Sequence, residues 1–218
     1  KIIVQYDGTD FCGWQIQPNL RTIQGEIYKA VQKIYSKKIT IYGCGRTDAG
    51  VHALGQVANF RIPKMLVPIE KVHIALNSCL PKDIRIISAE IMPENFNARA
   101  SANFREYLYI VYNGDISFPF YERYAWFYRK NIINEKLINE YEIDIIIEIT
   151  RKGSFIYFDF HGTGFLQNMV RILVGTLLEV GKGKIKPEQI PDILEAKNRQ
   201  MAGPTAPPQG LCLIKVDY

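Results

Sequence analysis

One hexapeptide pattern occurs twice, and it restricts the fold more than any other feature of the chain. Tyr6-Asp7-Gly8-Thr9-Asp10-Phe11 and Phe160-His161-Gly162-Thr163-Gly164-Phe165 both read aromatic, x, Gly, Thr, x, Phe. A strand-like run precedes each copy, Ile2-Ile3-Val4 in the first and Phe155-Ile156-Tyr157-Phe158 in the second. A helical pattern follows each. After the first, Thr22 is placed to cap a helix whose apolar stripe is Ile23, Ile27, Val31 and Ile34. After the second, the spacing predicts a helix from about Gln167 to Val180, with Met169, Ile172, Leu173, Thr176, Leu177 and Val180 on one side. Gly45-Arg46-Thr47 is echoed in turn by Gly203-Pro204-Thr205, each ahead of a terminal strand (Gln56 to Phe60; Leu211 to Val216). Two echoes in the same order imply two similar halves about a pseudo-twofold axis, residues 1–104 and 105–218.

The remaining elements fit an α+β fold. Pro68 suits the first turn of a helix through Ile69, Val72, Leu76 and Cys79. Asp83 to Ile91 reads as a strand, as does Tyr107 to Tyr112, which the Asn113-Gly114 turn ends. Ile143 to Thr150 and Phe155 to Phe160 read as a hairpin about Gly153. Many strands with few helices between them predict a largely antiparallel sheet. In the ferredoxin-like arrangement expected here, the helices lie on one side and a cleft separates the halves.

Composition narrows the classes. A chain of 218 residues with 47% hydrophobic residues can bury a core and is not a disordered type. No apolar run is long enough to span a bilayer, and Lys1-Ile2-Ile3-Val4-Gln5-Tyr6 reads as a strand, not a signal peptide. Cys12, Cys44, Cys79 and Cys212 form no C-x-x-C pair, and the three histidines lack ligand spacing, so no metal site is expected. Reduced thiols and a cytoplasmic location follow as expectations. A formal charge of +5 is compatible with a polyanionic partner.

Gly43-Cys44-Gly45-Arg46-Thr47-Asp48-Ala49-Gly50-Val51-His52 is the candidate for chemistry; a strand-like run from Lys38 to Tyr42 leads in and another from Gly55 to Phe60 leads out. It puts one carboxylate, Asp48, and one guanidinium, Arg46, on a loop hinged by glycines, where a ligand can approach closely. An Asp in a turn also caps its own backbone, so the loop alone is equally a structural turn. The second half has Pro207 and Pro208 where the first has its acid, so a single centre would belong to the first half.

Gly45 to Ala53 resembles the signature of the TruA family of tRNA pseudouridine synthases. The resemblance extends in order along nearly the whole chain. It includes Tyr6-Asp7-Gly8-Thr9 with Phe11, Gly13 and Trp14, then Thr22-Ile23-Gln24-Gly25. Ala75-Leu76-Asn77, Leu80-Pro81 and Phe96-Asn97-Ala98-Arg99 continue it. Phe165 to Arg171, Ala202 to Ala206 and Gly210-Leu211 complete it. Two departures stand out. Asn97 replaces the usual His or Asp. The family also has a helical stretch with a His-Asp-Phe type motif before the last hairpin. Here Glu135-Lys136-Leu137 runs straight into Ile138-Asn139-Glu140-Tyr141, so the segment near 137–141 reads as trimmed or missing.

The resemblance implies isomerisation of uridine to pseudouridine on the 3′ side of the tRNA anticodon stem-loop, by a cytoplasmic homodimer without metal or organic cofactor. Asp48 matches the catalytic carboxylate, which could attack C1′ of the ribose, attack C6 of the base, or act as a base on the sugar. Arg171 matches its cationic partner; spacing alone is equally consistent with a solvent-facing arginine. Tyr107 matches the active-site tyrosine, which could stack on the extruded uracil or carry the C5 proton. Leu211 matches a leucine that packs on the target base. Arg46 would fill the space left by the flipped nucleotide or grip its phosphate. Lys182 and Lys184 are candidate phosphate contacts, with Arg21, Lys37, Lys38 and Arg99 as further cations. The alternative from another class is an RNA-binding module without catalysis, which would not require Asp48. An aspartic protease needs two such carboxylates, and the second loop has none.

Overall fold

The computed structural model describes residues 1–129, 145–196 and 198–218. The segment near 137–141, expected to be shortened, lies outside the described residues. In chain order the elements are β1 (Ile2–Tyr6), α1 (Ile23–Tyr35), β2 (Tyr42–Gly43), β3 (His52–Asn59), α2 (Ile69–Asn77), β4 (Ile84–Ala89), β5 (Phe104–Tyr112), β6 (Trp126–Phe127), β7 (Ile145–Lys152), β8 (Phe155–Gly162), α3 (Met169–Gly181), α4 (Ile190–Glu195) and β9 (Leu211–Asp217). The chain is α+β and its strand pairing is mostly antiparallel, as the sequence predicts. Two compact units form, one from Lys1–Arg105 with Cys212–Tyr218, the other from Glu106–Leu211.

In the first unit the strand order is β4-β1-β3-β9. β1 runs antiparallel to β3 and to β4, and buries Ile2, Val4 and Tyr6 at every second position. β9 pairs parallel with the start of β3, His52 opposite Cys212, while β2 pairs antiparallel with its end. Between Val4–Gln56 and Tyr6–Ala53 the register of β1 on β3 slips, because β3 carries one extra residue in a bulge. Helix α1 forms where expected: Thr22 Oγ1 accepts the Gly25 amide, and Ile23, Ile27, Ala30, Val31 and Tyr35 make the buried face, with Ile34 of the predicted stripe only half-buried. Each such fully buried aliphatic side chain contributes roughly 1.5–3 kcal/mol.

Three expectations shift. The strand read at Lys38 to Tyr42 shrinks to Tyr42–Gly43, and the carbonyl of Ile41 is taken by the Gln24 side chain at 2.8 Å. Pro68 caps α2 from outside, and the helix ends at Asn77, before Cys79. Arg21 is no open cation: it grips Asp83 with two hydrogen bonds of 2.8 and 2.9 Å, and its guanidinium lies 3.9 Å from the centre of the Phe11 ring.

In the second unit the strand order is β5-β8-β7, with β6 parallel to β5. β7 and β8 form the predicted hairpin, closed at Gly153, whose φ of +60° suits a glycine. β8 buries Ile156, Phe158 and Phe160, and turns Phe155, Tyr157, Asp159 and His161 to the other face. Helix α3 begins at Met169, after Asn168 takes a left-handed conformation (φ 59°). It buries Val170, Val174, Leu177, Leu178 and Val180, so the buried face is turned from the predicted side: Met169, Ile172 and Leu173 are only half-buried. No helix among the described residues is long and apolar enough to cross a membrane.

Candidate active site

The Asp48 loop is braced on both sides. Ahead of it, the Cys44 amide donates to Val57 O at 2.8 Å. Thr47 is buried, its Oγ1 lies 2.8 Å from Tyr6 Oη, and its carbonyl accepts the Trp14 amide at 3.0 Å. After it, the Val51 amide closes a turn on Asp48 O at 3.2 Å, and the Gly50 amide donates to Phe11 O at 3.3 Å. Two glycines make this approach possible. A Cβ on Gly8 would sit 1.9 Å from Val51 O, and one on Gly13, at φ +86°, would sit 2.7 Å from Thr47 O. The repeated hexapeptide thus packs its first copy directly against the acidic loop. Asp48 is half-buried and Arg46 exposed.

Beneath the loop lies a polar cluster that sequence reasoning missed. Gln56, on β3, is fully buried. Its Oε1 accepts from Cys44 Sγ at 2.9 Å and from the Val57 amide at 3.1 Å. Its Nε2 donates to Gly45 O at 3.2 Å and to Tyr6 Oη at 3.4 Å. Burial pushes the Cys44 thiol up, which keeps its S–H as a donor at neutral pH. β3 also buries His52 and Asn59, so a polar residue in this strand did not by itself single out Gln56. Nearby, His52 Nδ1 accepts the Gly8 amide at 3.0 Å.

The second unit carries the other candidates. Tyr107 is buried on β5, edge-on to Phe165 with ring centres 5.0 Å apart. Arg171, in the first turn of α3, donates from Nε to Ala206 O at 2.7 Å and from Nη1 to Asn168 Oδ1 at 3.0 Å. Its own carbonyl accepts the Ala206 amide at 3.0 Å. Leu211 is buried at the start of β9. Lys182 and Lys184 come together on Glu179: Lys182 pairs closely with it, and Lys184 Nζ lies 3.2 Å from its Oε2. Lys182 is largely buried and sits 5.5 Å from the centre of the Tyr128 ring, whereas the Lys184 side chain is 65% exposed.

The second echo is looser than its sequence suggests. Thr47 is buried against Tyr6, but Thr205 is exposed and accepts from Arg199 Nη2 at 3.0 Å. Gly203 instead serves α3: its amide donates to Thr176 Oγ1 at 2.9 Å, and a Cβ there would meet Thr176 Cα at 2.7 Å.

This is an α+β protein that presents one carboxylate and one guanidinium on a braced loop. The chain belongs to the tRNA pseudouridine synthase family, whose sequence pattern matches residues 2–99 and 130–218. That family is one of isomerases. The chain is 64% identical to tRNA pseudouridine synthase A of Brachyspira hyodysenteriae, over 97% of this chain and 94% of that one. It is 42% identical to tRNA pseudouridine synthase A of a Thermoanaerobacter species, over 100% of this chain and 98% of that one. It is 39% identical to the protein of the same name from Geotalea daltonii, with the same coverage. The alignment with the Thermoanaerobacter protein spans 242 positions against 218 residues here, so this relative carries residues with no counterpart in this chain.

Proposed function

We propose that this chain converts uridine to pseudouridine on the 3′ side of the tRNA anticodon stem-loop, with Asp48 as the reacting carboxylate. The reaction breaks the N1–C1′ bond, turns the uracil, and forms a C5–C1′ bond. The proton on C5 is released and N1 gains one, so the process is an isomerisation without redox change. Asp48 would act on C1′, on C6, or as a base at the sugar; all three require it ionised. One observation carries the assignment within the chain. The residues flanking Asp48 are hydrogen-bonded to β1, to β3 and to Trp14, more order than a surface turn needs.

The family pattern suggests the remaining roles. Arg171 would serve as the cationic partner of the Asp48 carboxylate. Tyr107 would stack on the extruded uracil or carry the C5 proton, and Leu211 would pack on the base. Arg46 would take the place of the flipped nucleotide or hold its phosphate. Of the two lysines, Lys184 is the more accessible to phosphate, and Lys182 would act through their shared Glu179. The chain would work as a cytoplasmic homodimer on tRNA, by base flipping and without a cofactor.

The test is release of tritium from C5-labelled uridine in transcribed tRNA, with Asp48→Asn as control. Release that disappears in the variant while tRNA binding persists supports the reading. Release by Asp48→Asn at the normal rate removes Asp48 from the chemistry. Tight binding without release from either protein makes this an RNA-binding module.

A further inference from the structure

We infer that Gln56 is a positioning residue for the proposed reaction, acting through the loop that carries Asp48. The inference rests on the reading of Asp48 given above. Gln56 is fully buried and spans three of the four residues ahead of Asp48. It reaches Cys44 through Sγ, Gly45 through its carbonyl, and Thr47 by way of Tyr6 Oη. Arg46, the fourth, is left exposed.

The orientation of the amide follows from its partners. The Val57 backbone amide can only donate, so it must face Oε1. The Gly45 carbonyl can only accept, so it must face Nε2. Cys44 S–H then donates to Oε1, and Tyr6 Oη accepts from Nε2 while it shares a hydrogen bond with Thr47 Oγ1. A group that accepts twice at one end and donates twice at the other is met by a primary amide and not by a carboxylate. A leucine of the same size would leave the Gly45 carbonyl and the Tyr6 hydroxyl without this donor. The Gln56 side chain and its bonds to Cys44, Val57 and Tyr6 are buried, so water does not readily replace one lost there, and the loop would have to move. A displacement of about 1 Å in a catalytic group can cost on the order of 100-fold in rate.

Gln56→Glu tests this with almost no change of shape. The ionised carboxylate cannot donate to Gly45 O; the neutral acid can, through its single O–H. Burial beside that carbonyl raises the pKa of such an acid. In the tritium-release assay, kcat of Gln56→Glu is expected to fall by about 10- to 100-fold near pH 8. KM for tRNA should stay within about twofold, since the phosphate contacts are untouched. Relative to the unmodified chain, its kcat should recover as pH is lowered to about 6. Thermal unfolding at both pH values separates this from damage to the fold, in which the loss of kcat would track the loss of folded protein. A folded Gln56→Glu variant with unchanged kcat at both pH values overturns the inference.

If that variant does not fold, Tyr6→Phe decides. It keeps the bond from Gln56 to Gly45 and removes the hydroxyl that links Gln56 to Thr47. A fall in kcat with tRNA affinity intact supports the inference, and an unchanged kcat overturns it. Asp48→Asn, run in parallel, separates the two ideas. If it stays active, the reading of Asp48 fails and the inference goes with it. If it is inactive while the Gln56 and Tyr6 variants match the unmodified chain, only the inference fails.

Discussion

Arg171 and Ala206 hold each other twice. The Arg171 carbonyl accepts the Ala206 amide at 3.0 Å, and the Arg171 Nε donates to the Ala206 carbonyl at 2.7 Å. The start of α3 is thereby fixed to the Ala202–Ala206 stretch.

This pairing makes Arg171→Lys a severe change although charge is conserved. An ammonium on a flexible stem cannot reproduce the planar N–H that reaches Ala206. Stability should fall by about 1–2 kcal/mol, read from thermal unfolding. If Arg171 serves the reaction as proposed, tritium release should also fall by on the order of 100-fold. Normal release from a Lys variant would limit Arg171 to its structural bond.

Gly175 predicts an inversion of the usual helix rule. In an exposed helix interior, Gly→Ala stabilises by about 1 kcal/mol. Here a Cβ would sit 1.7 Å from the Pro204 carbonyl oxygen, which is backbone and cannot step aside. Gly175→Ala should therefore destabilise by about 1–3 kcal/mol, measured by denaturant unfolding.

Glu179 sets part of the acid limb of stability. Burial pushes its carboxyl up, but hydrogen bonds and charge from Lys182 and Lys184 prevail and hold it below the usual range. Its folded pKa is thus below its unfolded one, near about 4.3. The contribution is fully present above that value and lost as pH falls through the folded pKa. Urea unfolding of Glu179→Gln should show a deficit of up to about 1 kcal/mol at pH 7 that closes by about pH 3.

Asp159 works in the opposite sense. Burial first, then the charges of Glu106 and Glu148, raise its carboxyl, against an offset from His161 and Lys152. Glu148 faces it directly across the β7–β8 pair. The ionised form is the strained one, so stability is lost as pH rises through the raised pKa. Asp159→Asn should stabilise the protein by up to about 1 kcal/mol at pH 7, and the gain should vanish on acidification below about pH 4. A gain independent of pH would refute the electrostatic account.

Much of this fold was legible because its signals are local. The Thr22 cap, the stripe through Ile23, Ile27 and Val31, and the alternation along β8 each lie within a few turns or residues, and each formed. Short elements were less legible. β6 has only two residues, and its partner strand β5 supplies what order it has. The strand expected at Lys38 to Tyr42 shrank, with Gln24, 17 residues away, taking the Ile41 carbonyl. The catalytic candidates were visible as a family pattern in the residues, whereas their supports were not. Nothing local to Gln56 announces that its amide reaches Gly45, 11 residues away, or Tyr6, 50 residues away.

By itself the sequence determined the α+β class, the main strands and helices, and the loop that carries Asp48. Periodicity, capping and glycine placement act over short chain distances, so they can be read without coordinates. Tertiary structure alone decided which polar groups close the network under that loop, that Arg21 belongs to Asp83, and that Lys182 shares Glu179 with Lys184. Those outcomes depend on which side chains meet after distant segments pack. The free energy of a buried hydrogen bond or ion pair is set by that meeting, not by either residue alone.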